Sequence, residues 1–392
     1  NLVTHDLGRP LHVFDADKLS GDINVRYATN GEKIAALDNK EYELSDSMVV
    51  IADQAKALGI GGIIGGLTGG ILVLRASFGG PSPLRDASVK VWGFRGPLGA
   101  WVCVWGAVAM LTSAPFDDWW HNAYGLDVQI ISPPHMVLAA GFFSTIFGAM
   151  FLLAACQNRT KSKVALNIMY GYTGGVLILM LVILTMEYMF PNKQHSQEFF
   201  NVSAIVFPFA LTMIGKSSGL PWPATTASLI FTIHRLLIIW VLPLFPGEPQ
   251  LAPIYREITH FVAPPFPPLL IVPSVAIDYI LKKANLKNDW LAAGLCGVFF
   301  AGIYFLVHWP FAEFLLSENG RNWFFATHVN KPYWAPIGPN DYDFWQYDYS
   351  PLGGAIPLTA VSFAGILKTS LMAAVSSIVG IWSGSWLSRL KR

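Results

Sequence analysis

One short segment of the chain places acidic and imidazole side chains at spacings that could bind a metal ion. Asp117 and His121 are four residues apart, so on a helix they lie on the same face. His135 follows directly after two prolines, which favour the first turn of the next helix. An aspartate with two histidines suits copper, zinc or iron and is a poor ligand set for calcium or magnesium. The alternative is a polar cap in which Asp118 and His121 pair with each other.

Further ionisable residues lie near the same predicted outer face of the molecule. Asp118 and Asp127 are candidates to orient the imidazoles through their second ring nitrogens. The remaining candidates for such partners, or for a second site, are Glu187, Glu257, His260 and His308. The alternative for each is a side chain that local hydrogen bonds or water in a long outer loop satisfy.

Two adjacent polar residues, His234 and Arg235, lie within a long apolar run. An arginine near the middle of a bilayer costs roughly 3 kcal/mol or more, so Arg235 is expected to face the protein interior. Its partner could be a carboxylate or backbone carbonyls, or it could form an anion site or a polar pathway. The run after His260 contains five prolines between Pro264 and Pro273, which must break or kink a helix. Broken helices at membrane depth mark substrate sites in transporters.

The composition assigns these residues to a membrane protein. Of the 392 residues, 53% are hydrophobic and only 13% are charged, with a mean hydropathy of +0.45. Soluble domains carry roughly 25% charged residues. We therefore predict an all-α polytopic integral membrane protein, located in the bacterial inner membrane. Its expected partners are the lipid bilayer and other membrane subunits. The net charge of +1 predicts no nucleic-acid partner, and the three cysteines read as small core residues.

Apolar runs of about 20 residues predict the helices that hold these side chains. Nine spans are expected, at 58–78, 98–116, 135–156, 164–190, 200–216, 223–245, 259–281, 290–313 and 355–387. The first is rich in glycine, which favours close helix packing. Four basic clusters then fall on one side, at 75–95, 159–163, 282–287 and 389–392. The positive-inside rule makes that side cytoplasmic. This predicts an N-terminus outside and a C-terminus inside. Residues 1–57 form an outer (periplasmic) segment, and residues 58–392 form a bundle with an aromatic outer loop at 317–354.

The Asp-x3-His motif followed by a third ligand resembles a known metal centre. Asp117, His121 and His135 are similar to the metal site in the C subunit of the copper membrane monooxygenases, which oxidise methane or ammonia. The resemblance is confined to residues 117–135, with a spacing one residue longer than in the family. It implies a copper ion held by these three residues at the outer side of the membrane, and a monooxygenase-like enzyme subunit.

Three functions are compatible with these patterns. The first is a membrane metalloprotein, as a subunit of an oxidative or copper-handling complex. The second is a transporter or channel that uses the proline-broken seventh span together with His234 and Arg235. The third is a structural subunit of a membrane complex, in which the glycine-rich span and the aromatic loop are contact surfaces.

Overall fold

The computed structural model describes residues 63–125, 131–161, 163–247, 259–284, 286–327 and 358–391, and the backbone of five short strands before them. These strands are β1 (Asn24–Tyr27), β2 (Lys33–Ala35), β3 (Glu41–Glu43), β4 (Val49–Ala52) and β5 (Ala57–Gly59). They form an antiparallel sheet in the order β1-β4-β5 and a separate pair β2-β3. The N-terminal segment is therefore an exception to the predicted all-α class.

The rest of the described chain is mostly helical. It contains α1 (Ile63–Phe78), α2 (Pro83–Asp86), the strand pair β6 (Val89–Val91) and β7 (Phe94–Gly96), α3 (Leu98–Tyr124), α4 (Pro133–Gln157), α5 (Val164–Leu184), α6 (Gln197–Ser217), α7 (Pro223–Val241), α8 (Ile271–Asp278), α9 (Asp289–Leu316) and α10 (Phe363–Leu387). Seven helices among the described residues, α3 to α7, α9 and α10, are long and apolar enough to cross a membrane. Seven of the nine predicted spans are thus matched by membrane-length helices in the described part of the chain.

The first predicted span is one of the two that fall short. Helix α1 has 16 residues and so is about 24 Å long, whereas a bilayer core is about 30 Å thick. Its glycines do permit the expected close packing, here against α3. A Cβ added at Gly66 would lie 2.2 Å from the Cβ of Ala107, and one at Gly69 would lie 2.7 Å from the carbonyl oxygen of Ala100.

The seventh predicted span is broken by its prolines. Residues 261–270 have no regular secondary structure, and only then does the short helix α8 begin. A five-residue π-helical turn, Tyr279–Lys283, follows it. Proline lacks the backbone N–H that a helix requires, so no helix begins until the prolines become sparse.

The basic residues of the bundle gather at one end, here called the basic end. The side chain of Asn158, after α4, donates to the carbonyl oxygen of Leu390 at 2.8 Å, and Arg159 donates to that of Lys391 at 2.7 Å. Lys216 at the end of α6 is 3.4 Å from Asp289 at the start of α9. The basic clusters that the sequence places on one side thus share one end of the bundle.

The core lies around α6, the most buried of the seven long helices. Its Phe207 is fully buried, as are Tyr170 of α5, Phe231 of α7 and Tyr304 of α9. The hydroxyl group of Tyr170 shares a hydrogen bond of 2.7 Å with that of Ser217. Buried aromatic rings that keep a polar partner can pack in the core without leaving an unsatisfied group.

Candidate functional site

The three predicted metal ligands meet at the end of the bundle opposite the basic end. Asp117 and His121 lie on the last turns of α3, and His135 lies on the first turn of α4. The Oδ1 atom of Asp117 is 3.4 Å from Nε2 of His121 and 3.8 Å from Nε2 of His135. That oxygen is buried and accepts no hydrogen bond from the residues that the structure describes. The sequence therefore located a real cluster, because helical spacing and the start of α4 bring the three side chains to one level.

The orientation of His121 limits what this cluster can do. Its Nδ1 atom is 2.9 Å from the carbonyl oxygen of Gly125, which can only accept a hydrogen bond, so Nδ1 carries the proton. The other ring nitrogen, Nε2, is the one that faces Asp117. No three His, Cys, Asp or Glu side chains in the described part of the chain are already assembled as a metal-binding group. The assignment of ligands stays a prediction.

Of the other candidate partners among the described residues, His260 makes its side-chain hydrogen bond outside this cluster. His260 is exposed, and its Nδ1 is 3.0 Å from the hydroxyl of Thr259. Glu187 lies in a 3-10 turn after α5, and the buried Oδ1 atom of Asp118 has no hydrogen-bond partner among the described residues. The two remaining candidates near the outer face, Asp127 and Glu257, lie outside the described residues, as does most of the predicted aromatic loop.

Arg235 is in the protein interior, as expected for an arginine within an apolar run. It is only 3% exposed, and its Nε and Nη2 atoms both donate to the carbonyl oxygen of Pro265, at 3.2 and 3.1 Å. Of the alternatives that the sequence left open, pairing with backbone carbonyls describes these contacts. His234 points elsewhere, with Nδ1 2.8 Å from the carbonyl oxygen of Ile230 and Nε2 3.2 Å from the hydroxyl of Tyr172. The two neighbours therefore do not form one site.

His308 satisfies a second backbone group of the proline-broken segment. It is fully buried, and its Nε2 accepts the backbone N–H of Leu269 at 2.8 Å. Its Nδ1 is 3.2 Å from Oε1 of Gln194, and Nε2 of Gln194 donates to the carbonyl oxygen of Met189. Gln194 was not singled out from the sequence, because it precedes His308 by 114 residues. This network ties the proline-broken segment to α9 by hydrogen bonds.

His195 is the second residue that sequence reasoning missed. Its ring stacks on Trp309 with centroids 3.7 Å apart, and its Nε2 donates to the Trp309 carbonyl oxygen at 2.8 Å. Burial lowers the pKa of His195, and the hydrogen bond to Trp309 and the charge of Glu313 oppose part of that effect. The sequence feature that could have indicated it is the adjacent polar pair Gln194 and His195 just before α6, which a search for apolar runs does not consider.

The similarity to known proteins lies in the N-terminal segment, before the helices that hold the residues described above. Residues 1–72 match the B3/4 domain family. The chain is 44% identical over 90 residues to a phenylalanine–tRNA ligase beta subunit from Aquifex aeolicus, covering 21% of this chain and 12% of that protein. It is 56% identical over 66 residues to the same subunit from Brucella abortus, covering 17% and 8%. For Neisseria gonorrhoeae the values are 42% over 100 residues, covering 24% and 13%. No solved structure matches the chain.

The chain thus spans about a tenth of the length of these relatives. The matched family residues also include the glycine-rich run from Gly61 to Gly70, from which the first membrane span was predicted. That run therefore belongs to the segment that matches the B3/4 domain family. Its small residues give a mean hydropathy typical of a membrane span, but the helix they form is shorter than such a span.

These matches correct the resemblance drawn from the Asp-x3-His motif. The prediction of a copper monooxygenase subunit, and with it a copper-dependent oxidative or copper-handling function, is wrong, because the similarity found is to B3/4 domains and phenylalanine–tRNA ligase beta subunits. A motif of three residues recurs by chance, whereas 56% identity over 66 residues does not. The prediction of no nucleic-acid partner is wrong for the same reason. A small net charge argues only against binding that is driven by bulk attraction to phosphates.

Proposed function

We propose that residues 1–72 serve this chain as a B3/4-type segment that recognises phenylalanine tRNA, attached to a helical bundle that is embedded in a membrane. The observation that carries the first half is the 42–56% identity to phenylalanine–tRNA ligase beta subunits over 66–100 residues. Because those relatives are beta subunits, a further ligase subunit is the partner we propose alongside tRNA.

The charge of the segment sets the kind of contact to expect. Residues 1–57 contain ten acidic and six basic residues, and residues 58–72 contain none. A segment with a net charge of −4 repels phosphates over long distances, so recognition has to come from short-range contacts to particular nucleotides. The affinity should then depend weakly on salt, unlike that of a protein that neutralises many phosphates.

A binding titration with the full chain in detergent tests this proposal. Labelled phenylalanine tRNA and alanine tRNA are each titrated between about 50 and 200 mM salt. We expect tighter binding of phenylalanine tRNA with a shallow salt dependence. Equal affinity for both tRNAs with a steep salt dependence would mean that the basic end binds RNA nonspecifically, and would overturn the proposal.

A pair of charge-matched variants locates the binding surface. The first neutralises Arg26 and Lys33, on β1 and β2, by substitution with glutamine. The second neutralises Arg389 and Lys391 at the basic end in the same way. Loss of tRNA affinity in the first variant alone supports recognition by the N-terminal segment. Loss in the second alone contradicts it.

We propose further that the bundle is an integral part of the bacterial inner membrane. The seven long apolar helices support this, as do the large hydrophobic side chains exposed on their outer faces, such as Leu237, Leu306 and Leu371 at 51%, 71% and 67%. A water-soluble monomer rarely leaves so many large apolar side chains in contact with solvent. Membranes washed with alkaline carbonate should retain the protein. Its release without detergent would refute membrane insertion.

The topology we propose has eight crossings, formed by the seven long helices and by the proline-broken segment that continues into α8 and its π-helical turn. An even number leaves Leu98 and Leu387 on the same side, at the basic end, which the positive-inside rule makes cytoplasmic. The tRNA-binding proposal requires residues 1–57 on the cytoplasmic side as well, and we propose that placement because α1 is shorter than the bilayer core is thick. The periplasmic placement predicted from nine spans required α1 to cross.

Cysteine labelling distinguishes the two placements of the N-terminal segment. Cys156 is exposed and is first replaced by serine, whereas Cys103 and Cys296 are buried. A single cysteine at Tyr27 should react with an impermeant reagent only after the cells are permeabilised. A cysteine at Asn322, at the opposite end, should react in intact cells. Labelling of the Tyr27 position in intact cells would restore the nine-span topology.

A further inference from the structure

A groove between three helices opens on the surface of the bundle near the basic end. Seven residues of α4, α6 and α10 line it, namely Phe147, Phe151, Phe209, Met213, Ser383, Trp386 and Leu387. Its volume of about 440 Å³ lies in the range of about 300–1,000 Å³ that small-molecule sites occupy. All of the lining side chains except Ser383 are apolar.

The position of the groove along the helices suits the depth of a lipid tail. Leu387 is the last residue of α10, and Met213 precedes the end of α6 by one turn. Phe147 lies ten residues before the end of α4, which corresponds to about 15 Å along the helix axis. The groove therefore runs from the basic end into the apolar belt of the bundle. Trp386, 48% exposed, contacts Phe151 edge-to-face with ring centroids 5.2 Å apart.

Two helices that line the groove, α4 and α10, are each followed by basic residues at the basic end. The side chain of Asn158 donates to the carbonyl oxygens of Leu387 and Leu390, and Arg159 donates to that of Lys391. These bonds hold the C-terminal tail beside the end of α4. The exposed side chains of Arg389 and Lys391 are therefore fixed close to the basic segment that begins at Arg159.

From this combination we propose that the groove binds an anionic phospholipid. One acyl chain lies along the aromatic wall of α4 and α10, and the phosphate group meets the cations at the basic end. Basic pockets between membrane helices on the cytoplasmic side are suited to anionic head groups, to which each nearby Lys or Arg adds about 1 kcal/mol, or about fivefold in affinity. This inference rests on the proposed membrane insertion and is independent of tRNA recognition.

Native mass spectrometry of the detergent-purified full chain tests the inference. The protein is incubated with phosphatidylglycerol or with phosphatidylcholine carrying the same acyl chains. The wild-type chain should retain phosphatidylglycerol in preference. Neutralising Arg389 and Lys391 with glutamine should lower that preference about 25-fold. The matched control neutralises Lys90 and Lys287, two exposed lysines away from the groove, and should leave the preference unchanged.

A second pair of variants tests the groove itself. Ser383→Phe should fill it and remove retention of both lipids, whereas Ser383→Ala should leave retention as in the wild type. The inference is overturned by equal retention of the two lipids, by an unchanged preference in the Arg389 and Lys391 variant, or by a lipid-free dimer that covers the groove. Those results would leave membrane insertion intact if alkaline washing still fails to release the protein. Release by that washing overturns membrane insertion and this inference together.

Discussion

Replacing His308 with phenylalanine should destabilise the bundle strongly, although phenylalanine is close to histidine in size. His308 is fully buried, accepts the backbone N–H of Leu269 at 2.8 Å and contacts the side-chain oxygen of Gln194 at 3.2 Å. Phenylalanine cannot make either hydrogen bond. Each buried polar group left without a partner costs about 1–3 kcal/mol, so the two together predict a loss of roughly 2–6 kcal/mol in the free energy of unfolding.

The assay is unfolding of the purified protein in detergent, followed by far-ultraviolet circular dichroism during heating or titration with denaturant. His260→Phe is the matched control, because His260 is exposed and bonds only to the neighbouring Thr259 side chain in the described part of the chain. Its effect should stay within about 0.5 kcal/mol. Equal unfolding midpoints for the two variants would refute the argument that His308 holds the proline-broken segment in place.

Three further predictions concern packing, pH and metal binding. Gly297→Ala should lower the free energy of unfolding by about 1–3 kcal/mol, because the new Cβ would lie 2.3 Å from the backbone nitrogen of Ala374. Gly294, on the same helix, has open space around it, so Gly294→Ala should raise the free energy of unfolding by about 0.5–1 kcal/mol in the same assay. Burial lowers the pKa of His195, so the folded state favours its neutral form. The stability that His195 contributes should therefore be lost as the pH falls below the pKa of about 6.5 that histidine has in the unfolded chain. His195→Gln should flatten this dependence of the free energy of unfolding on pH, and an unchanged profile would contradict the argument. His121→Ala should remove any divalent metal bound by the purified protein and leave its helical content unchanged; equal metal content in the two proteins would rule out the ligand assignment.

Some regions of the chain follow from local sequence patterns and others do not. The long apolar runs predicted the seven membrane-length helices, because a period of 3.6 residues and a minimum length are local properties. The cluster of Asp117, His121 and His135 was also predictable, since two of its members are one helical turn apart and the third begins the adjoining helix. The chemistry assigned to it from a distant resemblance was wrong, because so short a motif does not define a family.

The amino-acid sequence by itself determined the helical class, the basic end and the need for Arg235 to face inward, because each follows from composition or from charge in an apolar run. Only the tertiary structure decided which groups satisfy the proline-broken segment. Pro265 accepts from Arg235 across 30 residues, and His308 pairs with Gln194 across 114. Such partners depend on which helices pack together, and no local pattern encodes that choice. The same packing decided that α1 lies along only part of α3, which a hydropathy average over its glycines could not reveal.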